Sequence, residues 1–349
     1  MDTIYVLIPV YNVEKVLGKC IRSIQQQTFQ NWQLILVDDG STDGSGAICD
    51  EFSAKDSRIT VIHTQNAGSA VARINGIKQI DSEGYCVFCD SDDEMPKNAL
   101  QVLYEEAIRS DADIVCGNSV RIAKGIKVTR GSKQGCFTNP KVYNKEEITT
   151  ELYLSCFGLS GFPINMCGKL YKTEVLREIM LNLDCSPKYF GDDLNVTMRI
   201  MPVVNRISVI KDIVYYYRMG GGTAKFMPSF LDDCLMMYHL KLKWSEKCTS
   251  TLDLKRLIGV ELKNIAVSYW VMCEKCKKYP NGNLMAEVKA VCECVEVQEA
   301  IAMLEGDRSG IPGMNQMLIE HNYAAICKLV CQKVKKDKPK DTIKKILLS

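Results

Sequence analysis

Tyr85-Cys86-Val87-Phe88-Cys89-Asp90-Ser91-Asp92-Asp93 is an apolar run that stops in acid. Five residues of buried, strand-forming character carry the chain to an edge, and three carboxylates follow within four positions. An apolar run of this length, with Gly84 before it and a polar cluster after it, predicts a buried parallel strand. In open α/β sheets, ligands bind just beyond the carboxyl ends of such strands. Asp90 and Asp92 are separated by one residue, so both reach one small volume at the strand exit. Two hard oxygen ligands there suit Mg²⁺ or Mn²⁺, with a ligand's phosphates completing the shell. The same residues have a plainer reading. Acidic loops after strands serve as turns, and Asp93 ahead of Glu94-Met95-Pro96 is placed to cap the next helix.

Upstream, the same pattern recurs. Ile4-Tyr5-Val6-Leu7-Ile8 reads as a strand ending at Pro9-Val10-Tyr11-Asn12, and Val13, Val16, Leu17, Cys20, Ile21 and Ile24 follow at helical spacing. Gln33 to Val37 is a second strand, exiting into Asp38-Asp39-Gly40-Ser41-Thr42-Asp43, where Thr42 or Asp43 caps the next helix. Ile59 to Ile62 is a third, leading to Asn66-Ala67-Gly68-Ser69 and a helix containing Val71, Ala72 and Ile74. Strands alternating with helices through short connections predict a mostly parallel, Rossmann-like α/β sheet with helices on both faces. Tyr11, Asp38, Asp39, Asn66 and Asp90 then gather on one rim. Arg121 to Asn144 reads as an exposed loop or hairpin. Gly168-Lys169-Leu170-Tyr171, a second acidic knot at Tyr189-Phe190-Gly191-Asp192-Asp193, and strands at Ile207–Ile210 and Ile213–Tyr217 complete this half. The boundary is expected near Gly220-Gly221-Gly222, giving domains at 1–222 and 223–349, the second mostly helical.

The chain has 349 residues and a net charge of +2, which argues against a dedicated nucleic-acid binder. No apolar run approaches the ~20 residues that cross a bilayer. Met1-Asp2-Thr3 leads into a strand without the basic and apolar regions of a signal peptide, so a cytoplasmic location is expected. The lysine-rich tail Lys333–Lys345, with Ile343, Ile346, Leu347 and Leu348, is either a solvated charge run or a peripheral contact with the inner membrane face. The seventeen cysteines are scattered through predicted elements. Cys273, Cys276, Cys292 and Cys294 make a loose zinc candidate, but without a nearby histidine they read as reduced thiols.

Several chemistries are excluded. The first strand-to-helix turn, Pro9-Val10-Tyr11-Asn12, lacks the glycines of a dinucleotide-binding fold. Glu94 stands where a phosphatase with an aspartyl nucleophile would carry Thr or Val. Gly158-Leu159-Ser160-Gly161 lacks the spacing of a nucleophile elbow. What does fit is a set of four motifs in order: Ile8 to Asn12, Val37 to Asp43, Asn66-x-Gly68 with Ala72-Arg73, and Asp90 to Asp93. Together they resemble glycosyltransferase family 2. Gly168 to Tyr171 and Gly191-Asp192-Asp193 are similar to the branch of that family acting on capsular and cell-surface polysaccharides. The resemblance covers roughly residues 3–222. It implies the GT-A fold, a nucleotide-diphosphate sugar donor, a divalent metal, and inversion at the anomeric carbon. Two positions depart from the family pattern: Ile74 where Asn is usual after Ala-Arg, and Asp192 where Glu is usual before Asp.

On that resemblance the residues take roles. Asp39 or Asp38 accepts the ring N–H of uridine, and Pro9 and Tyr11 offer apolar surface to the base. Asn66 and Ser91 line the donor. Asp90 touches ribose or metal, and Asp92 binds Mn²⁺ or Mg²⁺. Arg73 meets the diphosphate or the acidic rim. Lys169 contacts phosphate or is simply solvated. Asp193 is the expected general base toward a hydroxyl of a glycan or lipid-linked acceptor, with Asp192 the alternative; both also read as N-terminal caps of the following helix. The rival function is a catalytically silent nucleotide-sugar-binding module of the same fold.

Overall fold

Strands β1 (Ile4–Val10), β2 (Trp32–Asp38), β3 (Ile59–His63) and β4 (Tyr85–Phe88) form where the apolar runs place them, and they pair in parallel. The remaining strands are β5 (Ile114–Ala123), β6 (Ile126–Lys127), β7 (Val142–Tyr143), β8 (Lys169–Lys172) and β9 (Ile207–Arg218). They complete one sheet in the order β3-β2-β1-β4-β8-β5-β9-β7, with β6 paired to β5. The computed structural model describes residues 2–348 apart from 124, 125, 130, 133, 134, 184–190, 220–225, 227, 228, 247, 249–251, 305 and 308, and side chains only as far as 337.

Sheet order reverses at β1, which has β2 on one side and β4 on the other. That reversal opens a crevice at the carboxyl ends of β1 and β4, the place where such sheets bind ligands. The sheet is parallel through this half and again between β5 and β9. β8 runs antiparallel to both β4 and β5, which refines the expectation of a mostly parallel sheet. The two strands expected between 207 and 217 are one. Cys116 pairs with Val209 but Asn118 with Ile213, so β9 absorbs extra residues as a bulge, with Lys211 and Asp212 exposed in it. The expected loop or hairpin after Arg121 is paired in part: β5 runs on to Ala123 and pairs antiparallel with β6.

Helices α1 (Leu17–Gln25), α2 (Ser45–Lys55), α3 (Ser69–Ile77) and α4 (Ala99–Ser110) connect these strands. Leu17, Cys20, Ile21 and Ile24 form the buried stripe of α1, as their spacing requires. A Cβ on Gly76 would lie 2.4 Å from Leu7 Cδ1, so the glycine sets how closely α3 packs on β1. After the short α5 (Lys145–Glu147) come α6 (Thr173–Leu181) and α7 (Asp192–Ile200).

Contacts divide the chain into two compact units, Met1–Lys188 with Asp192–Gly221, and Gly222–Ser349 with Tyr189–Gly191. Tyr189, Phe190 and the Gly220-Gly221-Gly222 run lie outside the described residues. The second unit holds α8 (Phe230–Ser245), α9 (Leu254–Cys276), α10 (Leu284–Cys292), α11 (Val295–Ala302), α12 (Met314–Ile319) and α13 (Tyr323–Leu348). Its spine is α9, which buries Ile258, Leu262, Ala266, Trp270 and Cys273. Lys263 is buried too, and its ammonium is matched by Asp307 and Ser309. Ile326, Val330 and Val334 form the buried stripe of α13; the side chains of Ile343, Ile346, Leu347 and Leu348 lie outside the described residues. No helix among the described residues is long and apolar enough to cross a membrane.

Candidate active site

The β1 and β2 exits are stitched together by polar side chains. Asn12 sits at φ +52° and its Oδ1 accepts the Thr42 and Asp43 backbone N–H groups at 2.8 and 3.3 Å. Tyr11 projects beside it, 49% exposed, a free aromatic face at the mouth of the crevice. Asp43 accepts the Ser45 N–H at 2.9 Å, so it does tie down the start of α2. Asp39 is buried, yet its carboxylate is well supplied. Oδ1 accepts the Ala67 N–H at 2.9 Å and Oδ2 the Gly68 N–H at 2.8 Å. Gly68 holds φ +91°, which a side chain would strain. Asn66 closes the same turn by donating to the Asp39 carbonyl at 2.9 Å. Asp38 accepts from Ser41 N at 3.0 Å and meets His63 Nδ1 at 2.8 Å. Burial works against its charge, but Ser41 and His63 outweigh it and hold the Asp38 pKa below the usual range.

The acidic loop after β4 is strapped by β9. Tyr215, fully buried, accepts the Asp90 backbone N–H at 2.9 Å through its hydroxyl. Glu94 and Tyr216 form an antiparallel bridge. Arg218 donates from Nε to the Asp92 carbonyl at 2.8 Å and from Nη2 to Glu94 at 2.5 Å. Asp93 does not cap the next helix. It is buried, accepts the Arg218 backbone N–H at 2.7 Å, and burial pushes its pKa up to about 8. The expected cap fails because α4 starts only at Ala99, after Pro96 has turned the chain. Ser91 is buried within the loop.

Arg73 joins the two acidic clusters. Its Nη2 donates to Asp90 Oδ1 at 2.8 Å and its Nη1 to Asp192 Oδ2 at 2.5 Å, with Asp193 Oδ1 at 3.9 Å. Burial opposes the guanidinium charge, but Asp192, Asp90 and Asp193 outweigh it and hold its pKa well above the ordinary value. Asp192 is fully used: Oδ2 also accepts from Ser69 at 2.9 Å, and Oδ1 accepts the Asp193 N–H at 2.9 Å. Asp193 is not. Its Oδ1 is enclosed without a hydrogen-bond partner, while 35% of the side chain faces solvent. Burial pushes its pKa up to about 6; Arg73 and a Met166 N–H pull it down, and Asp192 and Asp90 push it further up. A carboxylate tuned in this way is mostly ionised at neutral pH yet more basic than an ordinary aspartate, the property general base catalysis needs.

The donor set at the β4 exit suits a divalent cation. Beyond its own backbone N–H, the Asp92 carboxylate has no hydrogen-bond partner among the described residues; burial and then Asp90 raise its pKa, and the Arg218 charge offsets them only in part. A cation would relieve both effects. Asp90 meets Arg73 through Oδ1 alone. No group of three or more His, Cys, Asp or Glu surrounds one cation position among the described residues, so Asp90 and Asp92 would need phosphate or water oxygens to complete a shell. Cys273 and Cys292 are buried and Cys276 is exposed.

Lys169 is neither solvated nor on the rim. It is 2% exposed, its ammonium donates to the Asn165 carbonyl, and Nζ lies 5.2 Å from the centre of the Phe162 ring. Burial lowers its pKa. The sequence reading also missed residues that build the site: Asn12, His63, Ser69, Tyr215 and Arg218. Asn12 alone carried a local signal, as a left-handed-tolerant residue in a strand-exit turn.

Residues 5–176 match the model of "Glycosyl transferase family 2". The chain is 32% identical over 280 residues to glycosyltransferase GlyG of Streptococcus pneumoniae, covering 77% of this chain and 88% of that protein. To glycosyltransferase GlyA of the same strain it is 33% identical over 237 residues, 66% of this chain but only 33% of that longer relative. Among solved structures, residues 1–349 of Staphylococcus aureus TarS in complex with UDP-GlcNAc align over 97% of this chain and 92% of that one, at a TM-score of 0.59 and 19% identity. That likeness is one of fold, and the fold is GT-A. A model match across the strand-exit motifs and a relative aligned over most of its length agree: the chain belongs to glycosyltransferase family 2.

Proposed function

We propose that this chain moves a sugar from a UDP-sugar to a hydroxyl of a glycan or lipid-linked acceptor in cell-surface polysaccharide synthesis, with inversion at the anomeric carbon. The observation that carries this reading is the Arg73 bridge, which brings the β4-exit acids to the unpaired Asp193 oxygen. The UDP-GlcNAc held by TarS supports a uridine-diphosphate donor.

On this reading Tyr11 and Pro9 receive the base, and Asp39, with a lone pair to spare on Oδ2, accepts the ring N–H. Asp192 and Asp90 hold the buried Arg73 guanidinium between the β4-exit acids and Asp193. Asp193 removes the acceptor's proton as the acceptor oxygen forms its bond to C1 and the C1–O bond to the diphosphate breaks. The proton ends on Asp193 and the electron pair leaves with UDP. Mn²⁺ or Mg²⁺ held by Asp92 and Asp90 would neutralise charge growing on the departing diphosphate. One direct displacement inverts the anomeric centre, because no covalent intermediate intervenes.

A panel of UDP-sugars incubated with Mn²⁺ tests the proposal through release of UDP, with and without candidate acceptor hydroxyls. Turnover of one donor that fails in Asp193→Asn, with UDP affinity kept, supports it. Tight UDP binding without turnover of any donor, unaffected by that substitution, favours the silent binding module instead.

A further inference from the structure

We propose that His63 is a positioning residue of the donor site, a proton-dependent strap that tightens nucleotide binding when its ring is charged. The inference rests on the nucleotide-sugar reading above. His63 ends β3 directly beside Asp38, its register partner on β2. Both ring nitrogens face carboxylates: Nδ1 lies 2.8 Å from Asp38 Oδ2, and Nε2 lies 3.1 Å from Asp50 Oδ1 on α2. A neutral imidazole carries one N–H and donates to only one of these; the imidazolium donates to both. The other Asp38 oxygen accepts the Ser41 N–H, and Ser41 Oγ accepts the Asn12 N–H at 3.2 Å. The ring's charge is therefore linked, through one carboxylate and one hydroxyl, to the turn that presents Tyr11. Space is left for the pair: a Cβ on Gly46 would lie 2.9 Å from Asp38 Oδ2 and 3.6 Å from His63 Cε1.

The titratable groups around the ring are Asp38 from β2 and Asp50 from α2, together with Cys49 of α2, which senses both carboxylates. Burial pushes the Cys49 thiol up to about 12, so it stays neutral. Among the described residues no lysine or arginine pairs with Asp38 or Asp50. Asp38 first and then Asp50 raise the His63 pKa above its ordinary value. A raised histidine pKa means the strap is complete at lower pH and is lost as pH rises through that value. Nucleotide affinity follows the same direction.

The test is calorimetry of UDP binding to the full chain from about pH 6 to about pH 9, spanning histidine titration. Buffers of different ionisation enthalpy report the protons exchanged. Wild type is compared with His63→Gln and Asp50→Asn; the titration of UDP itself is common to all three. Affinity in wild type should fall about threefold to fivefold more across the range than in His63→Gln, a modest effect for a half-exposed group. Wild-type binding should take up protons that the variant does not. Asp50 is exposed, so its variant keeps the fold, and the midpoint should move down toward that of free imidazole. Parallel profiles for wild type and His63→Gln, or an unmoved midpoint in Asp50→Asn, overturn the inference alone. UDP failing to bind wild type at any pH overturns the donor reading and this inference with it.

Discussion

Two regions of the crevice carry acid, and they treat it in opposite ways. At the β2 exit, Asp38 and Asp39 each meet a donor on both carboxylate oxygens, from their own loop, the α3 entry turn and His63. Around Arg73, the loop after β4 is tied down by β9 while two carboxylates, Asp92 and Asp193, stay short of hydrogen-bond partners. These acids look alike in one dimension. In three, the first pair shapes a loop, and the second region stores unsatisfied charge where a cation or an incoming hydroxyl would use it. A buried carboxylate without donors is costly, so it persists only where the surrounding structure over-determines it. At Asp92, the β9 strap provides that.

The contrast can be broken at either end. The largest effect is expected in the Arg73 region: Asp193→Asn should lower the transfer rate by about 10²–10⁴-fold, the usual worth of a general base, with UDP affinity unchanged. A rate within a few-fold of wild type would place the base elsewhere. Next comes a paired test of stability. Asp39→Ala orphans the Ala67 and Gly68 N–H groups and should cost about 2–3 kcal/mol in denaturant unfolding. Asp92→Ala removes a carboxylate that burial already disfavours, so stability should stay at or above wild type while metal-dependent UDP binding is lost. If both variants unfold alike, the distinction between shaping acids and poised acids collapses.

The pH profile sharpens the same point. Because the Asp193 pKa is raised to about 6, the working carboxylate form is populated only as pH climbs through that value. The rate should therefore rise with pH through about 6 and then level off. Stability follows the opposite sign: a raised carboxylate pKa means the folded state binds the extra proton, so this group's contribution falls as pH rises from the ordinary aspartate range to about 6. A rate profile flat across pH 5–7 counts against Asp193. The smallest effect is expected at Asn12. Asn12→Ala loses an acceptor and places a Cβ-only side chain at positive φ, for about 1–2 kcal/mol; Asn12→Gly loses only the acceptor and should cost under about 1 kcal/mol.

Much of this was legible locally. The first four strands, the α1 stripe and the strand-exit acids are written in runs of a few residues, whose periodicity decides which side chains are buried. Asp90, Asp192 and Asp193, which stand in separate motifs of the sequence, meet around Arg73. Asp93 was misread because its partner, the Arg218 N–H, is 125 residues away. Lys169 was misread because a lysine beside a glycine looks solvated until Phe162 and Asn165 fold over it. His63 and Tyr215 gave no signal at all: a histidine ending one strand and a tyrosine within another acquire meaning only from what lies across from them.

By itself, the sequence determined the alternation of strand and helix, the parallel half of the sheet and the rim on which acids collect, since short-range sterics and side-chain period govern those. Only tertiary structure decided which acids are satisfied. That depends on donors brought from β9, α2 and α3 by long-range pairing, and hydrogen bonds and desolvation act through space, not along the chain.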